Sequence, residues 1–82
     1  RLMPRVNLRY YALFRERAGR QTEAVATTAQ TPAELYRELA ARHGFSLPQD
    51  QLKVAVNAAF ADWNCALADG DEIVFIPPVA AV

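Results

Sequence analysis

Eighty-two residues suffice for one small domain with a single hydrophobic core. Nine basic residues balance nine acidic ones, which gives no electrostatic support for nucleic-acid binding through phosphate neutralisation. The single cysteine, Cys65, cannot close an internal disulfide, and neither a membrane-length apolar run nor a signal-peptide pattern is present, so a cytoplasmic protein without membrane contact is expected. Arg1-Leu2 precede Met3, which makes Met3 the expected natural start and residues 1–4 vector-derived or unfolded.

Val6 to Phe14 alternates as a strand, with Val6, Leu8, Tyr10 and Ala12 on one face and Asn7, Arg9, Tyr11 and Leu13 on the other. Arg15 to Arg20 is charged and carries Gly19, which predicts a turn or a single helical turn. Thr22 to Thr28 predicts a second strand, paired with the first as a hairpin. Thr31-Pro32-Ala33-Glu34 is a helix start: threonine caps, proline suits the first helical position, and glutamate completes a capping box. Leu35, Tyr36, Leu39 and Ala40 form an apolar stripe, Arg42 and His43 suit the last turn, and Gly44 supplies the C-terminal cap. The helix is predicted over Pro32 to His43.

Leu52 to Asn57 alternates again, with Leu52, Val54 and Val56 on one face and Lys53, Ala55 and Asn57 on the other. Asn57-Ala58-Ala59 predicts a turn into a short strand around Phe60 to Trp63. After the turn Asp69-Gly70-Asp71, the apolar run Ile73 to Ile76 predicts a short buried strand, which Pro77-Pro78 ends. What remains, through Val82, is a stiff extended tail. One helix between two strand pairs has only one sheet face on which to bury its stripe. The expected fold is α+β, a single ubiquitin-like β-grasp domain over residues 1–82. Its first and last strands are central neighbours, and its core is Val6, Leu8, Leu35, Leu39, Val54, Val56, Ile73 and Phe75.

Tyr10-Tyr11-Ala12, Arg15-Glu16 with Gly19, Ala55-Val56-Asn57, Asp69-Gly70-Asp71-Glu72 and Phe75-Ile76-Pro77-Pro78-Val79 occur here in one order and spacing. In that order they resemble the small subunits of molybdopterin synthase, ubiquitin-like sulphur carriers. The resemblance runs from Val6 to the end. It implies a non-catalytic carrier that binds no cofactor itself. An E1-like adenylating enzyme, using ATP, would activate the terminal carboxylate, and a thiocarboxylate would form there. The large synthase subunit would then receive the tail in a heterotetramer, and the sulphur would pass to a pterin precursor of the molybdenum cofactor. Tail threading would fall to Pro77, Pro78, Val79, Ala80 and Ala81, with Val82 as the sulphur attachment point. The family ends Gly-Gly, whereas Ala81 and Val82 hold those positions here. An altered end, a paralogue that docks without carrying sulphur, and a longer natural chain all remain open. The thiamine-pathway sulphur carriers are a further relative, although the Phe-Ile-Pro-Pro-Val ending favours the molybdopterin branch.

By alternation Tyr11 and Ile76 are directed away from the helix, and Phe60 lies on a strand too short to bury it fully, so together they mark a candidate partner-binding face. Arg9, Arg15 and Lys53 either flank that face, opposite acidic partner residues, or form an ordinary solvated surface. The resemblance places Tyr11, Phe60 and Ile76 at positions that pack against the large subunit, and Arg15 is expected to bind the partner beside them. His43 reads as a helix-end residue, Cys65 as an ordinary thiol, and Asp69, Asp71 and Glu72 as a turn rather than a cation site, so no metal is expected.

Overall fold

A computed structural model of the chain describes residues 4–78, and Arg1–Met3 and Val79–Val82 lie outside the described residues. Five strands, β1 (Arg5–Arg9), β2 (Thr22–Ala26), β3 (Lys53–Val56), β4 (Ala59–Ala61) and β5 (Glu72–Ile76), form one mixed sheet in the order β2-β1-β5-β3-β4. Two helices, α1 (Ala12–Ala18) and α2 (Pro32–His43), and a 3-10 turn at Gln49–Gln51 complete the fold. The ends of the chain meet at the centre: β1 and β5 lie parallel with Leu8 opposite Ile73, as the crossover through α2 requires. The remaining neighbours are antiparallel. This is the expected β-grasp arrangement.

Alternation assigns the faces. Val6, Leu8, Val54, Ile73 and Phe75 point to the helix side and are almost wholly buried with Leu35 and Leu39. Val56 is only partly buried, because it ends β3 at the rim of the core, so its place among the central core residues is corrected.

The first strand is shorter than its alternation implies. It ends at Arg9, Tyr11 remains extended, and Ala12 at φ 53° turns the chain into α1. Ala12 is therefore exposed rather than inward, and Leu13 packs on the core rather than facing out. The gain is Phe14, fully buried, whose ring meets Tyr36 and Phe45 edge-on at 6.2 and 4.9 Å. Seven helical residues close that end of the core where a tight hairpin would leave it open. The charged stretch is the second half of this helix, which Gly19 ends in the left-handed region by donating to Arg15 O.

α2 spans the predicted residues, because its signals are local. Thr31 Oγ1 accepts from Glu34 N at 3.3 Å, while the Glu34 carboxylate accepts from Gln30 N, one residue before the position a standard capping box would use. β4 begins earlier than expected. Asn57 and Ala58 both take positive φ, 53° and 71°, so a two-residue turn makes Ala59 the partner of Val56. Trp63 then leaves the sheet and stacks on Phe75, with ring centroids 5.9 Å apart.

Asn57 also ties this hairpin to β5. Its amide donates to Asp71 Oδ1 and its oxygen accepts from Glu72 N, both at 2.9 Å, while Asp71 Oδ2 accepts from Ala68 N. Asp69 accepts from Arg5 N, so the acidic cluster is spent on backbone donors and one amide.

Under the sheet's other flank, Glu23 accepts from the Tyr10 hydroxyl at 2.8 Å and lies 3.0 Å from His43 Nε2. Burial pushes the Glu23 carboxyl up, but the Tyr10 and His43 hydrogen bonds outweigh it and hold the group below its ordinary value. Burial and the same carboxylate push the Tyr10 phenol well up. This network pins the C-terminal end of α2 to β1 and β2.

Two stability predictions follow from this packing. Leu39→Ala should cost about 2–5 kcal/mol in denaturant unfolding, as a fully buried large-to-small change. A cost below about 0.5 kcal/mol would be the surface range and would contradict its position. Glu23→Gln should cost about 1–3 kcal/mol near neutral pH through the loss of a buried charged acceptor. A carboxyl held below its ordinary value stabilises above its unfolded pKa and loses that contribution as pH falls through its folded value. The difference between parent and Glu23→Gln in unfolding curves should therefore shrink on acidification, and a constant difference would contradict the charge-based account.

Candidate protein-docking face

Among the described residues no helix or strand covers the face of the sheet opposite α2. Register across four strands makes a row on it: Phe60 on β4 opposes Ala55 on β3, Ala55 opposes Val74 on β5, and Val74 opposes Arg9 on β1. One pair further along, Lys53 opposes Ile76. Because β1 and β5 are parallel, the C-terminal ends of both lie at the same end of the sheet, so Tyr11 and the exit of the tail at Pro77 share it.

Phe60 is 77% exposed and Tyr11 45%, the two large apolar side chains left most open among the described residues. Ile76 is half-buried on the same face. Tyr11 does not lie in a strand as expected, but its φ of −124° and ψ of 154° continue the strand direction, so the face assigned by alternation still holds for it. Val74 and Ala55 belong to the row as well. Their alternation is visible in the sequence, but joining them into one stripe requires the cross-strand register.

Arg9 pairs with Glu72 at 3.6 Å, and the Tyr11 hydroxyl, with Glu72 after it, raises the Arg9 guanidinium above its ordinary value. Lys53 is exposed beside Ile76, and Arg15 is exposed on α1, one turn after Tyr11. Beyond β4, Asp50, Leu52, Lys53, Val54, Phe60, Ala61, Asp62 and Trp63 line an open groove of about 730 Å³. Its floor is apolar and its rim carries both charges, which suits a protein surface better than a small-molecule pocket.

Of the tail, Pro77 is half-buried and Pro78 exposed, while Val79, Ala80, Ala81 and Val82 lie outside the described residues. His43 is occupied by Glu23 at the end of α2, and Cys65 is a half-buried free thiol. Among the described residues no cluster of His, Cys, Asp and Glu has metal-binding geometry, and no helix is long and apolar enough to cross a membrane. What the arrangement offers chemically is an apolar stripe for a partner, next to the point where the chain leaves the sheet.

The chain is 32% identical over 77 residues to the molybdopterin synthase sulfur carrier subunit of Escherichia coli K12, covering 90% of this chain and 95% of that protein. In structure it resembles a protein described as molybdopterin converting factor subunit 1 from Pyrococcus furiosus, with TM-score 0.75, 28% identity, and coverage of 93% of this chain and 99% of the other. It also has the fold of a chain in the complex of subunits 1 and 2 of molybdopterin-converting factor from Helicobacter pylori 26695, with TM-score 0.66, 24% identity, and coverage of 95% and 99%. The model of the ThiS family matches residues 8–80, and the chain belongs to that family.

Proposed function

We propose that this protein is a sulphur carrier that docks on a larger partner subunit and donates sulphur from its C-terminal carboxylate, in molybdenum cofactor synthesis. The observation that supports the reading most is the open stripe of Tyr11, Val74, Ile76 and Phe60 beside the exit of the tail at Pro77. The E. coli relative, named as a molybdopterin synthase sulfur carrier subunit, supports the pathway. The partners would be the large subunit of molybdopterin synthase and an E1-like activating enzyme, in a heterotetrameric synthase.

The chemistry asks little of the carrier. A terminal carboxylate oxygen attacks the α-phosphorus of ATP in the activating enzyme, and pyrophosphate leaves. Hydrosulphide then attacks the acyl carbon, AMP leaves, and a thiocarboxylate remains without any change in oxidation state. Docking supplies proximity for both this step and delivery. Pro77 and Pro78 contribute fixed φ, which lowers the entropy lost when a tail is threaded into a channel. A second reading, a module that docks but carries no sulphur, is favoured by Ala81 and Val82, whose side chains would crowd a channel built for glycine.

Two measurements test the proposal separately. Tyr11→Asp and Ile76→Asp should each weaken binding to the large subunit at least about tenfold in calorimetry, by placing a charge in a desolvated contact. Parent-like binding by both variants would remove the docking face. The 82-residue polypeptide should form thiocarboxylate more slowly than Ala81→Gly/Val82→Gly, with activating enzyme, ATP and inorganic sulphide. Intact mass reads this as one oxygen replaced by sulphur. Equal rates would contradict the steric reading of the tail, and no product from either, with binding retained, would favour the docking-only module.

A further inference from the structure

β2 is one edge of the sheet, and its outer side carries a regular row of backbone groups that have no partner among the described residues. In the β1–β2 ladder, Gln21 O accepts from Tyr10 N at 2.8 Å and Thr27 N donates to Pro4 O at 3.0 Å. By the strand period, Glu23 and Val25 also turn their backbone groups toward β1, so Thr22, Ala24 and Ala26 turn theirs outward. All three are exposed. Of the usual protections of an edge β2 has only the inward-pointing charge of Glu23: it contains no Pro, no Lys and no bulge, and is five residues long against three for β4.

We propose that this edge pairs with the same edge of a second copy of the chain, antiparallel about a twofold axis at Ala24, so that two sheets join into one. In that register Thr22 faces Ala26 of the second copy, and Ala24 faces its own equivalent. Every outward N–H and C=O of the row then gains a partner. Charge favours a second copy: Glu23, the only ionisable residue of β2, faces Val25 of the second copy rather than another Glu23. It also remains bonded to Tyr10 and His43 of its own chain, so no unpaired charge is buried. On the exposed face the side chains that meet across the seam are threonine and alanine, small enough for close approach.

A foreign peptide is a poorer fit, because specificity in strand addition comes from pockets for alternate side chains. Val25 and Thr27, on the inner side of this edge, are 3% and 1% exposed and leave no such pocket. β2 lies at the opposite side of the sheet from β3 and β4, so pairing leaves Phe60, Ile76 and the tail free. The proposal is therefore independent of the carrier reading.

Two five-residue edges make a small interface, below the roughly 1,200 Å² of standard complexes, and a dissociation constant on the order of 100 µM is expected. Sedimentation equilibrium of the whole chain from about 10 µM to about 1 mM should show the mass rising from 9.1 kDa toward twice that value. Ala24→Pro removes an outward N–H without touching the β1 ladder, and Ala24→Lys sets two ammonium groups face to face on the axis. Each should weaken association at least about tenfold while circular dichroism stays parent-like. In a Cys65→Ser background, Ala24→Cys should oxidise to a covalent dimer, since directly opposed residues lie about 5.5 Å apart between Cα atoms. A monomer throughout the range overturns the proposal, as does parent-like association by folded Ala24→Lys. If Ala24→Pro fails to fold, Ala24→Lys and the cysteine crosslink decide, and no crosslink at concentrations where the parent associates also overturns it.

Discussion

The parallel pairing of β1 with β5 is the constraint on which the rest of the molecule depends. A parallel pair cannot be closed by a hairpin, so the chain between must cross over, and α2 is that crossover. With one amphipathic helix available, only one face of the sheet is covered, and the other is left to solvent or to a partner. Parallel direction also brings the ends of both strands out together. Tyr11 and Pro77 lie at the same end of the sheet because its centre is parallel, despite the whole length of the fold that separates them in sequence.

Within that frame, covered and open faces are stabilised differently. The covered side relies on interlocked aromatic rings, with Phe14, Tyr36, Phe45, Trp63 and Phe75 in edge or stacked contact around α2. Its polar atoms are satisfied inside the fold: the Tyr36 hydroxyl donates to Leu47 O, and Thr27 Oγ1 donates to Glu38. Among the described residues the open side has one close ion pair, Arg9 with Glu72, and a few apolar side chains on short strands. A carrier needs a rigid body with a recognisable side, and this division of labour supplies one.

Much of this was legible in the sequence where the signal is local. α2 declares itself through Thr31, Pro32, Glu34 and Gly44, each of which acts on its own turn of backbone. The face of Ile76 follows from alternation alone. α1 was hidden because alternation runs on through Tyr11, and because its N-cap makes no side-chain bond. The remaining clue was Leu13, Phe14 and Ala18 at helical spacing before Gly19. The start of β4 was misread because Ala58 adopts a left-handed φ that alanine avoids, and only the paired strands make that conformation worthwhile. The stripe through Val74 and Ala55 was out of reach, since register is a property of three strands together.

Asn57 has a consequence for how the molecule opens. Its side chain bridges the β3–β4 turn to Asp71 and to the first residue of β5, so the short edge strand bearing Phe60 is fastened to the sheet centre at one end. A three-residue edge strand would ordinarily fray on its own, as the least protected part of a sheet. Here fraying from the turn must also break the two hydrogen bonds to Asp71 and Glu72, which makes the hairpin and the start of the last strand a shared opening unit. Amide exchange in β4 near the turn then tracks that of Glu72. Thermal fluctuation at the edge bearing Phe60 is thereby governed by a residue at the opposite end of the sheet from Pro77.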